Sequence, residues 1–138
     1  MPAKTTVKRS SKAAALVPVA RPARRAPSLR FRMRVMSGET ISVGPGKIAL
    51  LEAIRETRSI TAAAKSIGMS YRRAWMLVDE LNAALKKPAV HSAKGGDRGG
   101  GSELTAAGES LVGLYRRIEA RAARAGAAEI TALLGMVR

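Results

Sequence analysis

The segment "SITAAAKSIGMSYRRAW", residues 59–75, constrains the fold more than any other stretch. Ile60, Ala63, Ala64 and Ile67 fall at i, i+3, i+4 and i+7, the apolar stripe of a helix of about two turns. Ser59 suits the cap that opens it. Gly68 stands where the stripe stops, and glycine adopts the left-handed conformation of a helix end at little cost. Met69 is an apolar turn residue, and Ser70 can cap a second helix with Ala74, Leu77, Val78, Leu81 and Leu85 on one face. Ala64 is small enough for the two helices to approach closely. Helix, short turn, helix is the helix-turn-helix arrangement.

That arrangement sets the role of Tyr71, Arg72 and Arg73, which fall in the first turn of the second helix. At about 100° per residue, Arg72, Met76, Asp79 and Ala83 point away from the stripe. Arg73 lies on one flank, and Tyr71, Trp75 and Asn82 lie on the other. Trp75, at the border of the stripe, is expected to anchor the helix to the core. An outward arginine at the start of such a helix can bind guanine O6 and N7 together, worth roughly 1–3 kcal/mol of discrimination. The plain alternative is a solvated face.

Upstream, "LRFRMRVM" alternates Leu29, Phe31, Met33 and Val35 with Arg30, Arg32 and Arg34. Period two predicts a half-buried strand with an arginine-covered outer face. Ser37-Gly38-Glu39 makes a turn and Thr40 to Val43 a partner strand, completing a hairpin. Gly44-Pro45-Gly46-Lys47 lacks the spacing of a phosphate-binding P-loop, and Ile48 occupies its hydroxyl position. It reads instead as a turn into a helix with Pro45 near the start. Ile48, Leu51 and Ile54 share one face of that helix, which ends near Thr57 or Arg58.

Downstream, "AVHSAKGGDRGGGSELT" has strand-like ends and a glycine-rich middle, the pattern of a wing. Lys94 and Arg98 are its loop cations, and the glycines, Gly99 and Gly100 among them, let backbone N–H groups approach phosphates. A loose surface hairpin is the alternative. His91 is expected simply to sit on a wing strand. Thr105 can cap a last, long helix whose Leu111, Leu114, Tyr115, Ile118, Ala122 and Ala125 form a stripe. The stripe outlasts what a small winged domain can cover, so a partner helix, and hence a homodimer, is expected.

The chain has 138 residues, room for one domain with something left over. Its net charge of +15 favours polyanion partners, nucleic acid first and an anionic membrane surface second. Ten of the positive charges precede the first acid, Glu39. Residues 1–28 carry no apolar periodicity and are expected to be a disordered basic arm. Residues 29–125 would then be the folded domain and residues 126–138 a tail or helix extension. With no cysteine and a single histidine, disulfides, thiolate metal sites and histidine zinc clusters are excluded. Aromatics at 3% disfavour an RNA-binding sheet of stacking rings. No apolar run approaches the roughly 18 residues of a membrane span, and no secretory signal stands at the start. The acid-free, Arg- and Ala-rich start also fits an organelle transit peptide. No acid–base pair or nucleophile–base set is spaced for catalysis, so neither an enzyme nor a cofactor is expected. Double-stranded DNA is the expected partner, and a cytoplasmic, nucleoid-associated protein the expected setting.

Two blocks, Gly68 to Trp75 and "GGDRGGGSELT", Gly95 to Thr105, resemble the N-terminal domain of the molybdate-responsive (ModE-like) transcription regulators, which is related to the winged helix-turn-helix of LysR-type regulators. The similarity runs from about Leu29 to Ala125. It implies a mainly α fold with a small β component: a winged helix-turn-helix with an N-terminal β-hairpin and a long C-terminal dimerisation helix. It also implies a dimer on a palindromic operator. By position, Ser70, Tyr71, Arg72 and Arg73 would open the recognition helix, with Met76 on its outer face and Lys94, Arg98, Gly99 and Gly100 against the backbone. The chain resembles the family's shorter members, which have the DNA-binding domain alone, so no residue is expected to sense molybdate. A link to molybdenum-related genes rests on the resemblance only. The competing expectations are a non-specific architectural DNA-coating protein and a subunit that depends on a separate molybdate-binding partner.

Overall fold

The computed structural model describes residues 25–93 and 101–138. Arg30–Ala128 form one compact unit. Within it, β1 (Val35–Ser37) and β2 (Thr40–Val43) pair antiparallel, Met36 opposite Ile41 and Ser37 opposite Thr40. Gly38 closes the turn at φ 64°, where a side chain would be strained.

The strand predicted over 29–35 is shorter and displaced, because β2 ends at Val43, opposite Val35, and no described strand pairs with the residues before it. Burial nonetheless alternates as in an extended chain. Phe31 and Met33 are half-buried and Arg30, Arg32 and Arg34 exposed. Val35, at the irregular start of the ladder, is exposed rather than buried.

Helix α1 (Pro45–Thr57) opens with proline in its first turn and buries Ile48, Leu50, Leu51 and Ile54 completely. It stops at Arg58, whose left-handed φ of 58° turns the chain, its N–H bonding Ile54 O. Helix α2 (Ile60–Ser66) is capped by Ser59, whose hydroxyl accepts Ala62 N–H at 3.0 Å. Ile60, Ala63 and Ala64 are buried as expected. Ile67 is not: it lies past the last helical residue, at φ −112°, and is exposed. Gly68 takes φ 69°, and Met69 N–H returns to Ala64 O at 2.9 Å, closing the tight turn.

Helix α3 (Tyr71–Ala84) follows, its start capped by Ser70, whose hydroxyl accepts Arg73 N–H at 3.1 Å. Ala74, Leu77, Val78 and Leu81 enter the core. The wing strands β3 (Val90–Ala93) and β4 (Gly101–Leu104) pair antiparallel, from Val90 opposite Leu104 to Ala93 opposite Gly101. Helix α4 (Ala106–Ala125) starts at Thr105, whose hydroxyl accepts Gly108 N–H and donates to Pro88 O. One continuous core runs from Val43 to Tyr115. A winged helix-turn-helix with a preceding hairpin and a long C-terminal helix is thus the architecture.

The second unit holds residues 129–138, the greater part of α5 (Ala127–Leu134) and a closing turn in which Met136 N–H bonds Leu133 O. Most of the arm expected over 1–28 lies outside the described residues. No described helix is long and apolar enough to cross a membrane.

Candidate nucleic-acid interface

The exposed side of the helix-turn-helix gathers the residues expected there. Tyr71, Arg72, Arg73 and Met76 all face solvent on α3, with Ser70 capping their turn. Arg72 and Met76 sit on the side opposite Ala74, Leu77, Val78 and Leu81, with Tyr71 and Arg73 on the two flanks, so burying the stripe presents all four. Trp75 departs from its expected place. It is 39% exposed and meets the Tyr71 ring edge-on, centroids 6.2 Å apart. Among the described residues the wing base meets that flank of α3 only lower down, at Asn82, and leaves Trp75 on the exposed face. Together Tyr71, Trp75 and Met76 give that face apolar groups of the kind that contact a thymine methyl.

Two polar side chains that periodicity does not reveal fix the surroundings of α3. Lys47, on α1, is almost wholly buried, and its Nζ donates to Ile41 O at 3.2 Å and Ser42 O at 3.3 Å. The same ammonium lies 3.4 Å from Glu80 on α3, which ties the hairpin, α1 and α3 together. On the other side, Asn82 accepts Ala89 N–H at 2.8 Å and donates to Val90 O at 3.1 Å, which holds the base of the wing against α3. Glu80 apart, their partners are main-chain groups, which leave no mark in a sequence pattern.

The wing is also held from behind. Ser102 N–H donates to Arg58 O at 3.1 Å, at the left-handed turn that ends α1. Gly101 packs so closely there that a Cβ would come within 2.8 Å of that same oxygen. His91 sits on the outer wing strand opposite Glu103, 3.2 Å from its carboxylate. Lys94, Arg98, Gly99 and Gly100 lie outside the described residues.

The stripe on α4 divides in two. Tyr115 is 4% exposed and belongs to the protein's own core, with Val112 and Gly108, and not to an outward face. Its hydroxyl donates to Met33 O at 2.9 Å. Burial pushes the phenol's pKa up, which keeps that donor protonated. Leu114 and Ile118 are more than half exposed, Ala125 is exposed, and Leu111 and Ala122 are half-buried. The helix is clamped to α1 by Arg116, which forks onto both oxygens of Glu52 at 2.6 and 2.8 Å and reaches Glu119 at 2.7 Å. The Arg116 hydrogen bonds hold the Glu52 carboxyl below its usual range.

Comparison with known proteins agrees with this geometry. Residues 46–109 match the bacterial regulatory helix-turn-helix proteins of the lysR family. The molybdenum-pterin-binding protein MopB of Rhodobacter capsulatus is 48% identical over 82 residues, 59% of this chain and 30% of that one. The molybdenum transport protein ModE of Azotobacter vinelandii is 38% identical over 88 residues, covering 64% of this chain and 33% of its own length. The DNA-binding transcriptional dual regulator ModE of Escherichia coli is 41% identical over 71 residues, 51% of this chain and 27% of that protein. This chain therefore spans about a third of the curated relatives it matches. The matched family segment opens in α1, carries through α2, the tight turn, α3 and the wing, and ends in the first turns of α4. Residues 46–109 are thus a helix-turn-helix domain of the bacterial regulatory lysR type.

Proposed function

We propose that the chain is a sequence-specific DNA-binding transcriptional regulator that reads an inverted-repeat operator as a homodimer. The observation that carries this reading is the outer face of α3, where Tyr71, Arg72, Arg73 and Met76 stand exposed on a helix whose other side is locked into the core. A recognition helix enters the major groove by its first turns, and Arg72 has the reach and donor geometry for guanine. Leu114 and Ile118, apolar and exposed on α4, are the residues that a second copy would cover. Relatives named for molybdenum-pterin binding and molybdenum transport extend the reading to molybdenum-related genes, and a cytoplasmic setting with no catalytic step belongs to the same proposal. The net charge of +15 favours a second reading, an architectural protein that coats DNA through phosphate contacts alone.

Selection of binding sites from a random duplex library by the full chain, near 150 mM salt, separates the two. Enrichment of an inverted repeat with half-sites about one helical turn apart supports the regulator. Arg72→Ala should then flatten the preference at one position of each half-site. No enrichment, with binding that collapses as salt rises, favours coating. Enrichment seen only when a separate oxyanion-binding protein is added would assign the specificity to a complex of the two.

A further inference from the structure

A groove of about 800 Å³ runs beside the recognition helix, between the extended residues 32–34, the start of α1 and α3. Four cations line it: Arg32, Arg34, Lys47 and Arg73. Lys47 is committed internally, to two carbonyls of β2 and to Glu80, which also lines the groove. That leaves Arg32, Arg34 and Arg73 against a single further carboxylate, Glu39. None of these three arginines has an ion pair among the described residues.

The segment that carries Arg32 and Arg34 is held firmly. Met33, between them, packs on the core, and its carbonyl accepts the buried Tyr115 hydroxyl at 2.9 Å. With Met33 turned inward, Arg32 and Arg34 both turn outward, their Cα atoms about 6.6–6.8 Å apart as in an extended chain. The stem of Arg34 lies over the buried Gly44, 3.7 Å from where a Cβ would stand. Its charged end is therefore carried on a fixed apolar base. Three guanidiniums set around one open groove, two of them on side chains rooted at a spacing comparable with successive phosphates of one strand, match a phosphodiester backbone.

We propose that Arg32, Arg34 and Arg73 bind the phosphate backbone of the DNA strand that flanks the base-reading face of α3. The proposal rests on the reading of α3 as a recognition helix. It adds to it a second contact that fixes the helix's register on the duplex and carries no sequence preference of its own. The hairpin and the residues before it thereby join the DNA-binding surface.

The test is a salt series on the full chain and its Arg32→Ala/Arg34→Ala variant, with the selected operator duplex and a scrambled duplex of equal length. Each phosphate contact contributes about −0.9 to the slope of log K against log salt. The variant should lose about 1.8 from that slope, on both duplexes alike, with the operator-to-scrambled ratio unchanged. Between 50 and 200 mM salt, the full chain's affinity should therefore fall roughly 12-fold more than the variant's. Arg32→Lys/Arg34→Lys should restore the slope, since lysine also neutralises phosphate. A slope unchanged in the alanine variant overturns the proposal. If the full chain selects no sequence, base reading by α3 fails, yet the slopes on an arbitrary duplex still decide whether the groove holds phosphate.

Discussion

Two glycines of α4 give a matched pair of substitutions whose difference isolates one close packing contact. Gly108 lies against the base of the wing, where a Cβ would stand 2.3 Å from Ala89 O, 3.1 Å from Ala89 C and 3.3 Å from Ala89 Cα. Ordinary contact begins near 3.4 Å, so the overlap is about 1 Å, and the obstacle is backbone that cannot rotate away. That carbonyl also accepts Thr105 N–H at 2.9 Å, so displacing it breaks a bond at the helix start. Gly113, one and a half turns on, would meet only the guanidinium of Arg117, at 3.2 Å, which can swing aside. Glycine to alanine inside a helix contributes about 1 kcal/mol through propensity at either site. Overpacking against fixed backbone costs about 1–3 kcal/mol, and the broken cap bond puts Gly108 at the top of that range. Gly108→Ala should therefore destabilise by about 2 kcal/mol and Gly113→Ala stabilise by about 1 kcal/mol. Urea unfolding of both variants at one protein concentration reads this as midpoints moved in opposite directions at unchanged slope. A Gly108→Ala variant as stable as the Gly113→Ala variant would refute the packing of α4 on the wing base.

Two further expectations come from the same structure. Glu52 is held below its usual pKa of 4.5 by the fork of Arg116, so its contribution is present at neutral pH and is lost as pH falls below about 4.5. Glu52 is about a third exposed and Arg116 more so, which screens the pair to roughly 0.5 kcal/mol. Glu52→Gln should thus be slightly less stable than the parent at pH 7, with the gap closing as pH falls below about 4.5; a gap that widens on acidification would contradict the pairing. Trp75→Ala, on an exposed flank, should change stability by less than about 1 kcal/mol, against about 3–5 kcal/mol for a core aromatic, while weakening duplex binding. Thermal unfolding and a binding titration of that variant would tell the two apart.

Much of the helical part was legible because its signals are local. The caps at Ser59, Ser70 and Thr105 make the bonds their positions promise, and Gly68 takes the left-handed turn expected of it. Residues at the edge of a stripe were not legible, because their burial depends on an element elsewhere in the chain. Trp75 and Tyr115 show this in opposite directions. Among the described residues the wing base reaches that flank of α3 at Asn82 and not at Trp75, so the ring stays partly on the surface beside Tyr71. The residues around Met33 cover Tyr115, so a residue expected on an outer face is buried and bonded. The segment 29–34 failed differently. Its alternation describes its burial well, but a period of two does not create the partner strand that a ladder requires.

The surroundings of α3 follow from a division of labour between apolar and polar contacts. Ala74, Leu77, Val78 and Leu81 set which side of the helix is buried, but apolar burial is non-directional and leaves sliding along the axis weakly opposed. Lys47 and Asn82 oppose it. One joins Glu80 to the carbonyls of β2, and the other joins α3 to Ala89 and Val90. Hydrogen bonds have short range and preferred angles, so each fixes a distance that packing would leave loose. The hairpin and the wing are thereby both referenced to the same helix, two residues apart on its chain. A side chain at Arg72 then stands at a set offset from Arg34 on one side and from the wing base on the other. The proposed reading, bases in a groove with the adjacent backbone held beside them, needs that offset to be constant, and it is set within one small domain.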